Sequence, residues 1–202
     1  MNQHPSKEET LVIVKPDGIQ RSLVGEVIKR LERYGLKMVA MKLSVPSDEE
    51  VSDHYQLDKK WIEKVGKKSI AAYKEKGKDA PSEDPFILGE KVLSNLIKYL
   101  TSGPVVPMVW QGVNAISIVR KIVGSTEPLT SDVGTLRGDF VIDSYELADI
   151  DGRAVRNLIH ASSSVEEAQK EIDLWFKNEE IVNYRLIQEQ IMYDVNLDGI
   201  LE

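Results

Sequence analysis

Thr10-Leu11-Val12-Ile13-Val14-Lys15-Pro16-Asp17-Gly18 is the stretch from which the fold is read. Its first five residues run without polar alternation, and four are β-branched. That pattern suits a strand buried on both faces. Pro16, Asp17 and Gly18 then force a turn. A lysine at the end of a buried strand is aimed at whatever lies above the sheet. Read alone, Lys-Pro-Asp-Gly is more simply a surface turn.

Working outward, residues 1–9 form a polar lead without the apolar centre of a signal peptide. Downstream, Ser22 to Tyr34 predicts a helix with Val24, Val27, Ile28 and Leu31 on its apolar face and Gly35 as its stop. Leu36 to Val45 has strand composition with apolar residues on both faces, which predicts a central strand. Ser47-Asp48-Glu49-Glu50 is a capping box opening a helix that carries His54 and Tyr55.

The stretch from Asp58 to about Ala80 sets lysines among apolar residues at helical spacing, and Gly89 to Leu100 predicts a second helix. The lysines read as a solvated helix face rather than a phosphate rim. Ser102-Gly103-Pro104 breaks that helix, and Val105 to Trp110 is another strand. Asn114 is placed as the cap of a helix running from Ala115 to Val123, with Arg120 on it and Gly124 as its stop. Ser125 to Asp139 predicts a long loop, and Phe140-Val141-Ile142 a last strand. Asp149-Ile150-Asp151-Gly152 is turn-like. Asp194 to Gly199 imitates the start of a calcium loop, but the chain ends before the twelfth-position glutamate.

These elements alternate as β-α-β-α, a helical insertion, then β-α-β and α. The expected class is α/β (α+β): a ferredoxin-like βαββαβ sandwich with an antiparallel sheet. One domain covering 1–202 is expected, with the helical insertion at about 58–90 and a C-terminal extension at about 178–202.

Composition narrows the function. The formal net charge of −7 disfavours sequence-independent nucleic-acid binding. The chain has no cysteine, so disulfides and thiolate metal sites are excluded and a reducing cytosol is allowed. No apolar run reaches membrane-spanning length, so no membrane partner and a cytoplasmic location are expected.

His160 stands in Asn157-Leu158-Ile159-His160-Ala161-Ser162, ahead of a helix that carries Glu171. A neutral imidazole nitrogen is nucleophilic near neutral pH, and a carboxylate on the other ring nitrogen fixes its tautomer. There is no glycine-rich phosphate loop of either common kind, so side chains must hold any phosphate. The candidates are Lys15, Tyr55, Arg120, Thr126, Arg137, Asn157, His160 and Glu171. Cations, hydroxyls, an amide and a nucleophile with its acid suit phosphoryl transfer, which needs positioning and charge neutralisation.

The chain resembles the nucleoside diphosphate kinase family. The matching words are Val14-Lys15-Pro16-Asp17-Gly18 with Gln20-Arg21, Leu23-Val24-Gly25-Glu26, Thr101 to Val106, Gly134-Thr135-Leu136-Arg137-Gly138-Asp139-Phe140, and Asn157 to Ser162 through Leu174-Trp175-Phe176. The resemblance implies that His160 takes the γ-phosphate of a nucleoside triphosphate and gives it to a nucleoside diphosphate, by ping-pong kinetics. It implies that Glu171 holds the imidazole and Ser162 supports the site. Lys15, Tyr55, Arg120, Thr126 and Arg137 would contact phosphates, and Lys15 and Asn157 the sugar. Magnesium (Mg2+) would arrive on the nucleotide, with no protein cage. A homo-oligomer, tetramer or hexamer, is implied, with Pro128 near the subunit contacts.

Two departures touch base recognition. The link after Tyr55 is longer than the family's by roughly thirty residues, and the loop at about 143–155 by about ten. Val92, with Leu93 beside it, takes the position of the family's stacking phenylalanine. Ser144, Ala154 or Val155 would face the other side of the base. Ala161 stands where the family commonly has glycine. The alternative function is a non-catalytic relative that binds nucleotides or nucleic acid as a regulator.

Overall fold

The computed structural model describes residues 7–56, 60–75 and 77–193. Most of the polar lead, the first residues of the expected insertion (58–59) and the 194–199 stretch lie outside them.

The opening stretch forms β1 (Glu8–Val14), and Leu11 through Val14 have no solvent exposure. β2 is Lys37–Met41, β3 Val106–Gly112 and β4 Ile159–Ala161. The sheet order is β2-β3-β1-β4, antiparallel throughout, so β1 is central and the ferredoxin-like expectation holds. Strand alternation splits β1 between two cores. Val12 and Val14 join Val27 and Leu31 of helix α2 (Val24–Arg33) and Val119 and Ile122 of α6 (Ala115–Val123). Leu11 and Ile13 join Ile172 and Trp175 of α9 (Val165–Trp175).

Between these lie α1 (Pro16–Gln20), which occupies the predicted turn, and α3 (Asp48–Gln56). The capping box of α3 is reciprocal: Glu50 N donates to Ser47 Oγ at 3.1 Å, and Ser47 N to Glu50 Oε2 at 2.9 Å. Helices α4 (Trp61–Glu75) and α5 (Pro85–Leu100) pack as a hairpin. Its crossing leaves room only for glycine, since a Cβ on Gly66 would lie 1.7 Å from Pro85 O. Short helices α7 (Leu136–Phe140) and α8 (Tyr145–Ile150) follow β3 and α6, and α10 (Glu189–Met192) ends the described chain. Lys78, after α4, meets Glu146 of α8 at 3.2 Å, so the segment after α4 reaches α8.

Three local expectations are corrected. Phe140-Val141-Ile142 is not the last strand. Phe140 ends α7, Ile142 is fully exposed, and the place beside β1 is taken by Ile159–Ala161. The 36–45 strand is not central. β2 lies at the sheet edge, and its apolar character is met by the tail laid along it: Val182 N donates to Val39 O at 2.8 Å and Tyr184 Oη to Met38 O at 2.7 Å. The 178–193 segment thereby covers an otherwise open edge. Asn114 precedes α6 without a side-chain cap bond; Glu8 instead accepts from Ile116 N at 2.9 Å.

Candidate active site

Pleat and register place the first two functional side chains. His160 pairs with Ile13 across the β1/β4 ladder, so the two share a face. Lys15 lies two residues beyond Ile13 and continues the ladder, donating its N–H to Leu158 O at 2.8 Å. The period of two therefore brings Lys15 and His160 to the face covered by α9.

Glu171 comes from α9, whose start is set by Ser164 Oγ accepting from Glu167 N at 3.1 Å. Glu171 is 1% exposed, and each of its carboxylate oxygens has a hydrogen-bond partner. Oε1 meets His160 Nε2 at 2.8 Å, and Oε2 accepts from Ser162 Oγ at 2.6 Å. Ser162 is anchored in turn, its Oγ accepting from Leu11 N at 3.1 Å. A carboxylate only accepts, so Nε2 of the neutral imidazole carries the proton and Nδ1 keeps its lone pair. Burial, then the charge of Lys15, lowers the His160 pKa to about 3, and the ring is neutral at working pH. Burial pushes the Glu171 carboxyl above its ordinary value.

Lys15 is buried and donates from Nζ to Asn157 Oδ1 at 2.7 Å. Burial, with the Arg137 cation next, lowers its pKa to about 7. Asn157 Nδ2 donates to Thr126 O at 2.9 Å, tying the long loop to the same point. Arg120 of α6 is exposed and close enough to act on His160 by its charge. Tyr55 is half-buried in the field of Glu171 and Arg137, and burial raises its phenol pKa.

Arg137 sits differently from a simple phosphate fork. It donates to four backbone carbonyls, those of Asn157, Gly124, Ser125 and Ile159, at 2.6–3.1 Å. It ties the loop after α6 to the entry of β4, and its cation sits close enough to lower the Lys15 pKa. Val92 is half-buried on α5, where the more buried apolar neighbour is Leu93. Of the three residues considered for the other side of the base, Val155 is buried and Ser144 caps α8, accepting from Leu147 N at 3.2 Å. Ala154 is half-buried.

Two side chains at the site carried no sequence signal of this role. His54 of α3 lies edge-on to His160 with ring centroids 4.5 Å apart, and its Nδ1 accepts from Trp175 Nε1 at 3.2 Å. Its Nε2 is buried without a hydrogen-bond partner among the described residues, and burial lowers its pKa to about 3. Tyr99 of α5 donates to Asp17 Oδ1 at 2.6 Å and lies beneath Lys15 Nζ, 5.1 Å from the ring centroid. Periodicity marks neither, because both sit on helices whose buried faces look alike from sequence.

His54, His160 and Glu171 form the one grouping of metal-type donors among the described residues. The three are already bonded or packed to one another and to Trp175, and two of them are imidazoles, which a hard cation such as magnesium does not favour. Lysine, arginine and amide groups fit a metal that enters on nucleotide phosphates. A cavity of about 560 Å³ between β2 and the 181–189 segment shares no lining residue with this group, so chemistry rather than cavity size locates the site.

The family described as "Nucleoside diphosphate kinase" matches residues 8–68 and 87–181. The nucleoside diphosphate kinase of Pyrobaculum aerophilum is 46% identical over 179 residues, 87% of this chain and 98% of that protein. A crystal structure of an NDP kinase from Pyrobaculum aerophilum superposes with a TM-score of 0.84 at 45% identity, covering 88% of this chain and all of that one. A transition-state mimic of the Borrelia burgdorferi nucleoside-diphosphate kinase, with bound vanadate and ADP, superposes with a TM-score of 0.74 at 37% identity, covering 90% and 94%.

Proposed function

This chain belongs to the nucleoside diphosphate kinase family, and on that premise we propose that His160 Nδ1 is the atom that carries the phosphoryl group. The chain is a phosphotransferase, moving a γ-phosphoryl group from a nucleoside triphosphate to a nucleoside diphosphate. The observation that carries the residue assignment is the 2.8 Å bond from His160 Nε2 to the buried Glu171, which leaves Nδ1 as the nucleophile.

The Nδ1 lone pair attacks the γ-phosphorus. The bond from that phosphorus to the bridging oxygen breaks, and its electron pair leaves on the nucleoside diphosphate. No proton moves in this step, because Nε2–H stays with Glu171. Positive charge builds on the ring as the P–N bond forms, and the carboxylate behind it stabilises that charge. An acceptor diphosphate then attacks the same phosphorus, and the P–N pair returns to Nδ1. Splitting one transfer into two half-reactions is what a covalent nucleophile provides.

Lys15, Arg120 and the Arg137 cation neutralise the oxygens of the phosphoryl in flight. Thr126 and Tyr55 add hydroxyls at the phosphates, and Asn157 and Lys15 reach the sugar hydroxyl. Mg2+ bound to the nucleotide's phosphates supplies further charge neutralisation.

Val92 and Leu93 offer the base an aliphatic surface in place of an aromatic one. We read 58–90 as a helical insertion and 178–202 as an extension of a single 1–202 domain. The family match that skips 69–86 supports the first. A homo-oligomer fits the family and the exposed apolar side chains of Val133 and Ile142. A cytoplasmic setting fits a chain without cysteine. Among the described residues no helix is long and apolar enough to cross a membrane.

The deciding experiment is incubation with γ-labelled ATP followed by transfer to a different nucleoside diphosphate. The expected result is an acid-labile, base-stable protein label that His160→Ala abolishes. A folded protein that binds nucleotide but never labels would place it with the non-catalytic relatives.

A further inference from the structure

The turn leading into β4 is built against the preference of its own residue. Leu158 has φ +68°, and Ile159 N–H reaches back two residues to Asn157 O at 2.7 Å. This is a γ-turn with its centre in the left-handed region, a strained form for a leucine. Asn157 precedes that centre and His160 follows it by two residues. Any relaxation of the turn would therefore move both.

Side chains from two other elements hold it. Asp17 of α1 accepts from Leu158 N at 3.2 Å through Oδ2, and from Tyr99 Oη at 2.6 Å through Oδ1. The same phenol oxygen accepts from Asn157 N at 3.2 Å. Tyr99 thus bridges α1 and the two successive amides that lead into the strained Leu158, one directly and one through Asp17. Its ring also lies beneath the Lys15 ammonium at 5.1 Å, while that ammonium donates to Asn157 Oδ1 at 2.7 Å. One side chain from α5 touches the lysine, its amide partner and the clamp on the turn. Burial, reinforced by the Asp17 charge, raises the phenol pKa, so the hydroxyl keeps its proton at any working pH.

Resting on the His160 reading above, we propose that Tyr99, anchored by Asp17, is a positioning residue for phosphoryl transfer: it holds the Asn157–Leu158 turn so that Lys15, Asn157 and His160 stay in register. It touches no reacting atom. It acts through Asn157 and Lys15, and its loss should appear in the chemical step more than in folding or nucleotide binding.

The test is single-turnover phosphorylation by γ-labelled ATP in wild type, Tyr99→Phe and Asp17→Asn, with ADP affinity and thermal midpoint measured alongside. Tyr99→Phe keeps the ring under Lys15 and removes the bridge. It should slow label formation by about tenfold, with ADP affinity within about twofold of wild type. Asp17→Asn should slow labelling similarly. It should also move the basic limb of the kcat/KM profile to lower pH, because the Asp17 charge is what favours protonated Lys15. Tyr99→Phe should leave that limb in place. A Tyr99→Phe protein that labels at the wild-type rate overturns the proposal. So does one whose whole loss is accounted for by a smaller folded fraction, or an Asp17→Asn protein with unaltered rate and profile. A wild type that never labels overturns the His160 assignment itself, and the positioning role falls with it.

Discussion

His160 Nε2 and Glu171 Oε1 lie 2.8 Å apart, with the acid 1% exposed and its other oxygen held by Ser162 at 2.6 Å. The imidazole is fixed from behind by a group that cannot turn away, and one ring nitrogen remains for chemistry. Glu171→Gln keeps the size of the side chain and removes its charge. The rate of phosphoenzyme formation should fall by about thirtyfold, the equivalent of about 2 kcal/mol, with little change in nucleotide affinity. Rapid-quench labelling against an equilibrium ADP titration separates the two quantities.

Lys15 is a cation only below its lowered pKa of about 7 in the free protein. The kcat/KM profile should lose activity above that pH, whereas kcat should hold to higher pH once nucleotide phosphates favour the charged ammonium. Lys15→Arg stays charged at every working pH, so its kcat/KM profile should lose the basic limb even if its rate is lower. A basic limb that persists unchanged in the arginine variant would assign it to another group.

His54 is buried and His160 half-buried, and burial lowers both pKa values to about 3, so both rings are neutral. Unfolding restores the ordinary imidazole pKa, so between about 6.5 and 3 the unfolded chain binds more protons. Their contribution is complete above about 6.5 and is lost as pH falls toward 3. Glu171, whose carboxyl is raised by burial, works in the opposite sense above the ordinary carboxylate range. Urea midpoints at pH 7, 5 and 4 should fall in that order. His54→Phe keeps the ring but orphans Trp175 Nε1–H, which costs about 2 kcal/mol at pH 7 and flattens the acid slope. A parallel curve for the variant would exclude His54 as a source of that slope.

The α4–α5 crossing is set by two glycines. A Cβ on Gly66 would meet Pro85 O at 1.7 Å, and one on Gly89 would meet Ile62 O at 2.2 Å. Either alanine variant must push the helices apart, at about 1–3 kcal/mol or more of lost packing. Trp61 at the start of α4 packs on Tyr55 with ring centroids 5.5 Å apart, so the disturbance should reach the site. Nucleotide KM should rise while the labelling rate at saturation changes little. Steady-state kinetics with a thermal melt read both, and an unshifted melting midpoint in Gly66→Ala would contradict the packing argument.

Much of the frame was legible because it is written locally. The run at Leu11–Val14, the Ser47–Glu50 capping box and the Gly35 and Gly124 stops each depend on neighbours within a few positions, and the structure has all of them. β4 escaped because three residues carry no periodicity of their own. They become a strand only when β1 accepts them. The apolar faces of β2 looked central because sequence does not show that a tail some 140 positions away would cover the edge.

Sequence alone determined that the chain has a buried first strand, a histidine with an acid eleven residues on, and a set of cations suited to phosphate. Tertiary structure decided what each of these does. It gave the Arg137 guanidinium to four backbone carbonyls, placed His54 against the His160 ring, and set Tyr99 across a strained turn from Asp17. The reason is reach. Periodicity and capping act over one or two turns of chain, whereas the contacts that orient these side chains join residues far apart in sequence, and they exist only after the sheet has closed around β1.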